Sequence, residues 1–77
     1  MTEKINEVMA QVLAIPVESI NADTSPKNVA QWDSLKHMQL ILALEEEFGI
    51  TFPDDTVPNL ISHDALHTAI ADLTSPA

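Results

Sequence analysis

The sequence predicts an all-α fold: a small four-helix bundle of three main helices plus one short helix, with a long loop after the first. Three observations carry this. Apolar residues recur at helical spacing in three separate segments. Strand-type alternation is scarce, and the chain has a single Gly. Pro16, Pro26, Pro53 and Pro58 fall between the periodic segments, where they end helices rather than interrupt them. At 77 residues the chain is read as one domain, residues 1–77. A domain this small buries only about 60% of its unfolded surface. Its core is therefore thin, and with no Cys neither a disulfide nor a thiolate metal site can reinforce it.

The first helix is expected from about Thr2 to Ala14. Ile5, Val8, Met9 and Val12 fall on one face, Thr2 suits the N-cap, and Glu3 suits the positive end of the dipole. Pro16 stops it. The loop from Pro16 to Trp32 is rich in turn formers: Asn21, Asp23, Thr24, Ser25 and Pro26. Val17, Ile20, Val29 and Trp32 are spaced to pin it across the core, so it reads as ordered. The second helix begins at Asp33 or Ser34. Leu35, Met38, Leu40, Ile41, Leu42, Leu44 and Phe48 make more than half its circumference apolar. Such a helix is central to a bundle or presents part of its surface to a partner. Glu45, Glu46 and Glu47 mark its later turns, and Gly49 is a natural C-cap. Those acids oppose the negative end of the dipole, a local cost that hints at selection for binding. Residues 50–52 read as extended. A short, irregular helical turn follows between Pro53 and Ile61. The last helix runs from about His63 to Leu73, capped by Ser62, with Ala65, Leu66, Ala69, Ile70 and Leu73 as its buried stripe. Residues 74–77 read as a frayed tail.

The formal net charge is −9, from three basic and twelve acidic residues. That balance argues against nucleic acid and against anionic membrane surfaces. It favours partners with Lys/Arg patches, met by charge-steered and salt-sensitive association. No stretch is long and apolar enough to span a bilayer, and no signal peptide is visible. A cytoplasmic location and a monomeric state are the default expectations.

The residues that carry chemistry lie at the start of the second helix. A hydroxyl in the first turn, at Ser34, faces solvent. The free backbone amides and the dipole there favour an attached phosphodiester. Asp33 is placed to cap the helix. Trp32-Asp33-Ser34-Leu35 resembles the Asp-Ser-Leu attachment motif of acyl carrier proteins. Ala43-Leu44-Glu45-Glu46-Glu47-Phe48-Gly49-Ile50 resembles the acidic end of that family's second helix, and the likeness runs over almost the whole chain. The resemblance implies that Ser34 is the attachment point for 4′-phosphopantetheine, transferred from coenzyme A by a phosphopantetheinyl transferase. The thiol of that arm would carry acyl, polyketide or aminoacyl cargo between acyl-loading and acyl-transferring enzymes with basic patches. The chain itself needs no catalytic machinery.

The same resemblance implies a partner face at Leu35, Met38 and Leu42, which lie at i, i+3 and i+7. Glu45, Glu46, Asp54 and Val57 match further family positions that meet partners. Leu35 and Leu42 could equally belong to the core. The sequence departs from common fatty-acid carriers, which usually have Gly two residues before the Asp and acids early in the second helix. Here Gln31-Trp32 precede Asp33, and Lys36, His37 and Gln39 dilute the early charge. This shifts weight toward a specialised pathway. Trp32 is read as packed under the loop in preference to flanking the arm. Together with the large leucines it would crowd the entry for a long acyl chain.

Three other readings compete with this one. Ser34 and His37 are helix neighbours, but no Gly-x-Ser-x-Gly turn or substrate cavity accompanies them. His63 and His67 share a face at i, i+4 without a third ligand, and read as two surface histidines; His37 reads as surface polarity near the partner face. The alternative function is an unmodified helical adaptor, which intact Asp33-Ser34-Leu35 speaks against.

Overall fold

The computed structural model describes residues 2–74. It has three α-helices: α1 (Thr2–Leu13), α2 (Ser34–Phe48) and α3 (His63–Thr74). No strand occurs among the described residues. The expected short helix is the 3-10 turn Val57–Asn59, and a further 3-10 turn, Val17–Ser19, was not anticipated. Thr2 is already helical, and its hydroxyl lies 2.9 Å from His67 Nε2. Thr74 closes α3, with its hydroxyl donating to the Ile70 carbonyl at 2.7 Å. The rest of the expected tail, residues 75–77, lies outside the described residues.

α1 and α2 stop in the same way. Ala14 and Gly49 both adopt left-handed backbone, with φ of 56° and 64°. The next amide folds back in each case: Ile15 N–H donates to the Ala10 carbonyl, and Ile50 N–H to the Glu45 carbonyl. This is the Schellman arrangement, and Ile15 and Ile50 both pack against the core, as it requires. Gly49 takes that conformation without steric cost; Ala14 does not. At the start of α3, Ser62 Oγ accepts the Ala65 N–H at 3.0 Å, as a cap should.

α1 contributes Ile5, Val8, Met9 and Leu13 to the core. α2 adds Leu40, Ile41 and Leu44, and α3 adds Leu66 and Ile70. The connections supply Ile20, Trp32, Phe52 and Leu60. Each large side chain so buried contributes about 1.5–3 kcal/mol, which is why the long loop is held down. Val17, expected to help pin it, is exposed, because the first 3-10 turn rolls it outward. The loop's polar groups bond locally. Asn21 N–H donates to Thr24 Oγ1 at 2.9 Å, and Asn28 Nδ2 donates to the Asp23 carbonyl at 2.8 Å. Thr24 is buried, and its carbonyl accepts the His63 N–H at 2.8 Å, tying the loop to α3. The ordered loop delivers Trp32 and Asp33 to the start of α2.

Candidate functional site

Asp33 is the N-cap of α2. Its backbone is extended (φ −102°, ψ −174°), and its carboxylate accepts the Lys36 N–H at 2.8 Å. Its carbonyl accepts the His37 N–H at 2.8 Å, which starts the helical ladder. Ser34 is therefore the first helical residue, and it is exposed. The amides of Ser34 and Leu35 sit where a helix has no carbonyl to offer them. The positive end of the dipole lies in the same turn. An exposed hydroxyl with spare amides and the positive end of a dipole fits a phosphodiester well.

Beside Ser34 runs an open groove of about 530 Å³, its walls mostly apolar. Trp32, His37, Met38, Val57, Pro58 and Ile61 line it. The loop before α2, the first turns of α2 and the 3-10 turn Val57–Asn59 thus converge on the serine. Of the residues singled out from sequence, Asp33, Ser34, Met38 and Val57 meet here. Leu35, Leu42, Glu45, Glu46 and Asp54 do not line this groove.

Leu35, Met38 and Leu42 are exposed, at 66%, 52% and 60%. Leu40, Ile41 and Leu44 on the other side of α2 are buried. Leu35 and Leu42 are therefore not core residues. Glu46 and Asp54 are exposed. Glu45 is only half exposed, and its Oε2 accepts the Phe52 N–H at 2.8 Å. One of its two oxygens is therefore engaged within the fold.

Two histidines differ from their sequence reading. His37 is bonded through both ring nitrogens. Trp32 Nε1–H donates to His37 Nδ1 at 3.0 Å, and His37 Nε2 lies 2.8 Å from the Val57 carbonyl. With Nδ1 accepting from the indole, Nε2 must carry the proton given to the carbonyl. Trp32 itself is 3% exposed, packed as expected. His63 is buried rather than a surface residue, with Nε2 2.6 Å from Asn6 Oδ1. Burial lowers its pKa, the neighbouring His67 lowers it further, and Asp64 opposes both. The ring Nε2 atoms of His63 and His67 lie within hydrogen-bond distance of Asn6 Oδ1 and Thr2 Oγ1. Only the Trp32–His37 pairing carried a sequence signal, an aromatic donor and an imidazole five residues apart beside the serine.

The chain matches a family model described as "Phosphopantetheine attachment site" over residues 3–62. It is 32% identical over 71 residues to an acyl carrier protein of Campylobacter hominis, covering 92% of this chain and 90% of that protein. It is 36% identical over 58 residues to an acyl carrier protein of Thermosynechococcus vestitus, covering 75% of this chain and 72% of that one. Among solved structures, a candidate acyl carrier protein of Mycobacterium tuberculosis superposes with a TM-score of 0.82 at 29% identity. That likeness covers 94% of this chain and 97% of the other.

Proposed function

This chain belongs to the acyl carrier protein family, and we propose that its Ser34 carries 4′-phosphopantetheine. The observation that carries this reading is the exposed Ser34 hydroxyl at the first turn of α2, capped by Asp33 and inside the matched attachment region. Acyl carrier proteins are carriers, not enzymes. In this reading Ser34 is the acceptor in a reaction performed by a phosphopantetheinyl transferase. The Ser34 Oγ–H bond is replaced by an Oγ–P bond as the pyrophosphate P–O bond of coenzyme A breaks; adenosine 3′,5′-bisphosphate is the leaving group and the serine proton passes to the transferase. The arm then supplies the thiol that holds acyl, polyketide or aminoacyl groups as thioesters. The spare first-turn amides of α2 hold the phosphodiester at Ser34.

Partner enzymes dock on Leu35, Met38 and Leu42, beside the serine and free of the core. Glu46, Asp54 and the unengaged oxygen of Glu45 meet their basic side chains, and Val57 adds apolar contact at the groove. The net charge of −9 steers such encounters and makes them salt-sensitive. The chain works as one monomeric carrier domain in the cytoplasm. No described helix is long and apolar enough to cross a membrane. Peptide mapping after incubation with coenzyme A and a transferase tests the reading: the adduct must lie on Ser34 and on no other serine.

A further inference from the structure

The groove beside Ser34 is closed on its inner side by a hydrogen-bonded chain. Trp32 comes from the loop, His37 from α2, and Val57 from the second 3-10 turn. Leu40 and Ile41, one turn on from His37 along α2, and Leu60, next to the 57–59 turn, belong to the core. A chain that entered the core from the groove through the seam between α2 and the 57–59 turn would have to part these two elements. The 2.8 Å contact from His37 Nε2 to the Val57 carbonyl bridges this seam. The indole N–H of Trp32 holds the imidazole from the other side. Among the described residues no buried side-chain nitrogen or oxygen lacks a partner. Opening the seam would strand the imidazole N–H and the carbonyl together in an apolar setting, where unpaired polar groups are costly.

We propose that Trp32, His37 and Val57 form a clasp that keeps cargo out of the bundle, so that this carrier holds short acyl groups, aminoacyl groups among them, in the open groove beside Ser34. The proposal rests on the reading that Ser34 bears the arm. It assigns His37 a specificity-determining role and Trp32 a positioning role through His37. A short group finds apolar cover against Met38, Val57 and Ile61, all of which line the groove. A long alkyl chain outruns the groove and stays in water, because the clasp denies it the core.

The test loads the holo-protein with an acetyl or an octanoyl group and compares the two. Cleavage of both thioesters by hydroxylamine is expected to agree within about twofold, because the groove is open and neither thioester is drawn into the core. Amide and methyl chemical shifts of Leu40, Ile41 and Leu60 are expected to be the same in both forms. In His37→Ala, or in Trp32→Phe, which removes only the indole donor, the octanoyl thioester is expected to slow by about tenfold, the mark of a mostly sheltered population. The wild-type comparison stands even if a variant fails to fold. An octanoyl thioester about tenfold slower than acetyl in the wild type, with shifted core signals, would overturn the clasp while leaving the carrier reading intact. Absence of any phosphopantetheine on Ser34 would overturn both, and intact mass detects that before loading begins.

Discussion

Glu45 Oε2 accepts the backbone N–H of Phe52 at 2.8 Å, joining the last turns of α2 to the segment that leads away from it. Phe52 is one of the largest fully buried side chains, so the bond fixes a residue that the core depends on. An acidic residue near the negative end of a dipole is unfavourable in isolation. Here the carboxylate serves the chain reversal after Gly49. Glu45→Ala is therefore expected to cost about 1.5–3 kcal/mol, the range for a hydrogen bond to a charged group. Glu46→Ala is expected to change stability by less than about 0.5 kcal/mol, as surface substitutions usually do. Urea unfolding of both variants checks the contrast; equal losses would contradict it.

The two sides of α2 should separate under mutation. Leu40→Ala is expected to cost about 2–5 kcal/mol through the cavity it leaves. Leu35→Ala, at an exposed position, is expected to stay within about 0.5 kcal/mol. Leu35→Asp should nonetheless slow transfer of phosphopantetheine by a transferase about tenfold or more, as loss of a docking contact does. Chemical denaturation and transferase kinetics together read this. A Leu35 variant that unfolds while transfer to its folded fraction is normal would reverse the assignment.

The matched ends of α1 and α2 give predictions of opposite sign. Gly49→Ala places a side chain at φ 64° and is expected to lose about 1 kcal/mol. No atom lies within 4 Å of the added Cβ, so the loss comes from backbone conformation rather than collision. Ala14→Gly relieves the same strain at φ 56° and is expected to gain up to about 1 kcal/mol, offset in part by the more flexible unfolded chain. Thermal midpoints of the two variants should move in opposite directions.

His63 makes stability depend on pH. Its folded pKa lies below its ordinary value, first because of burial and then because of the nearby His67. The unfolded chain therefore binds this proton more readily, near pH 6.5. The stability tied to neutral His63 is fully present above about pH 6.5 and is lost as pH falls through the lowered folded value. Protonation would also leave the imidazolium buried beside His67. His63→Gln is expected to flatten the fall of unfolding free energy between neutral and mildly acidic pH. Parallel curves for wild type and variant would contradict this account.

Much of this geometry is local and was therefore readable. Asp33 and Ser62 are polar caps directly before apolar-periodic segments, and Gly49 follows one, so the helix ends could be placed from composition alone. The stripes through Ile5, Met9, Leu44, Leu66 and Ile70 follow from helical spacing. What escaped depends on contacts remote in sequence. His37 meets a carbonyl 20 residues away, and His63 meets a side chain 57 residues away. A lone histidine on an amphipathic helix carries no mark of such partners. Glu45 was grouped with its acidic neighbours because only the folded chain brings Phe52 N–H back to it. Ala14 was read as helical because nothing in an alanine announces left-handed backbone.

The central claim is that Ser34 is the acceptor of the arm. Intact mass after incubation of the wild type and Ser34→Ala with coenzyme A and a broad-specificity phosphopantetheinyl transferase tests it most directly. The account predicts a gain of one phosphopantetheine in the wild type and none in the variant. No gain with several transferases, or an equal gain in Ser34→Ala, would contradict it.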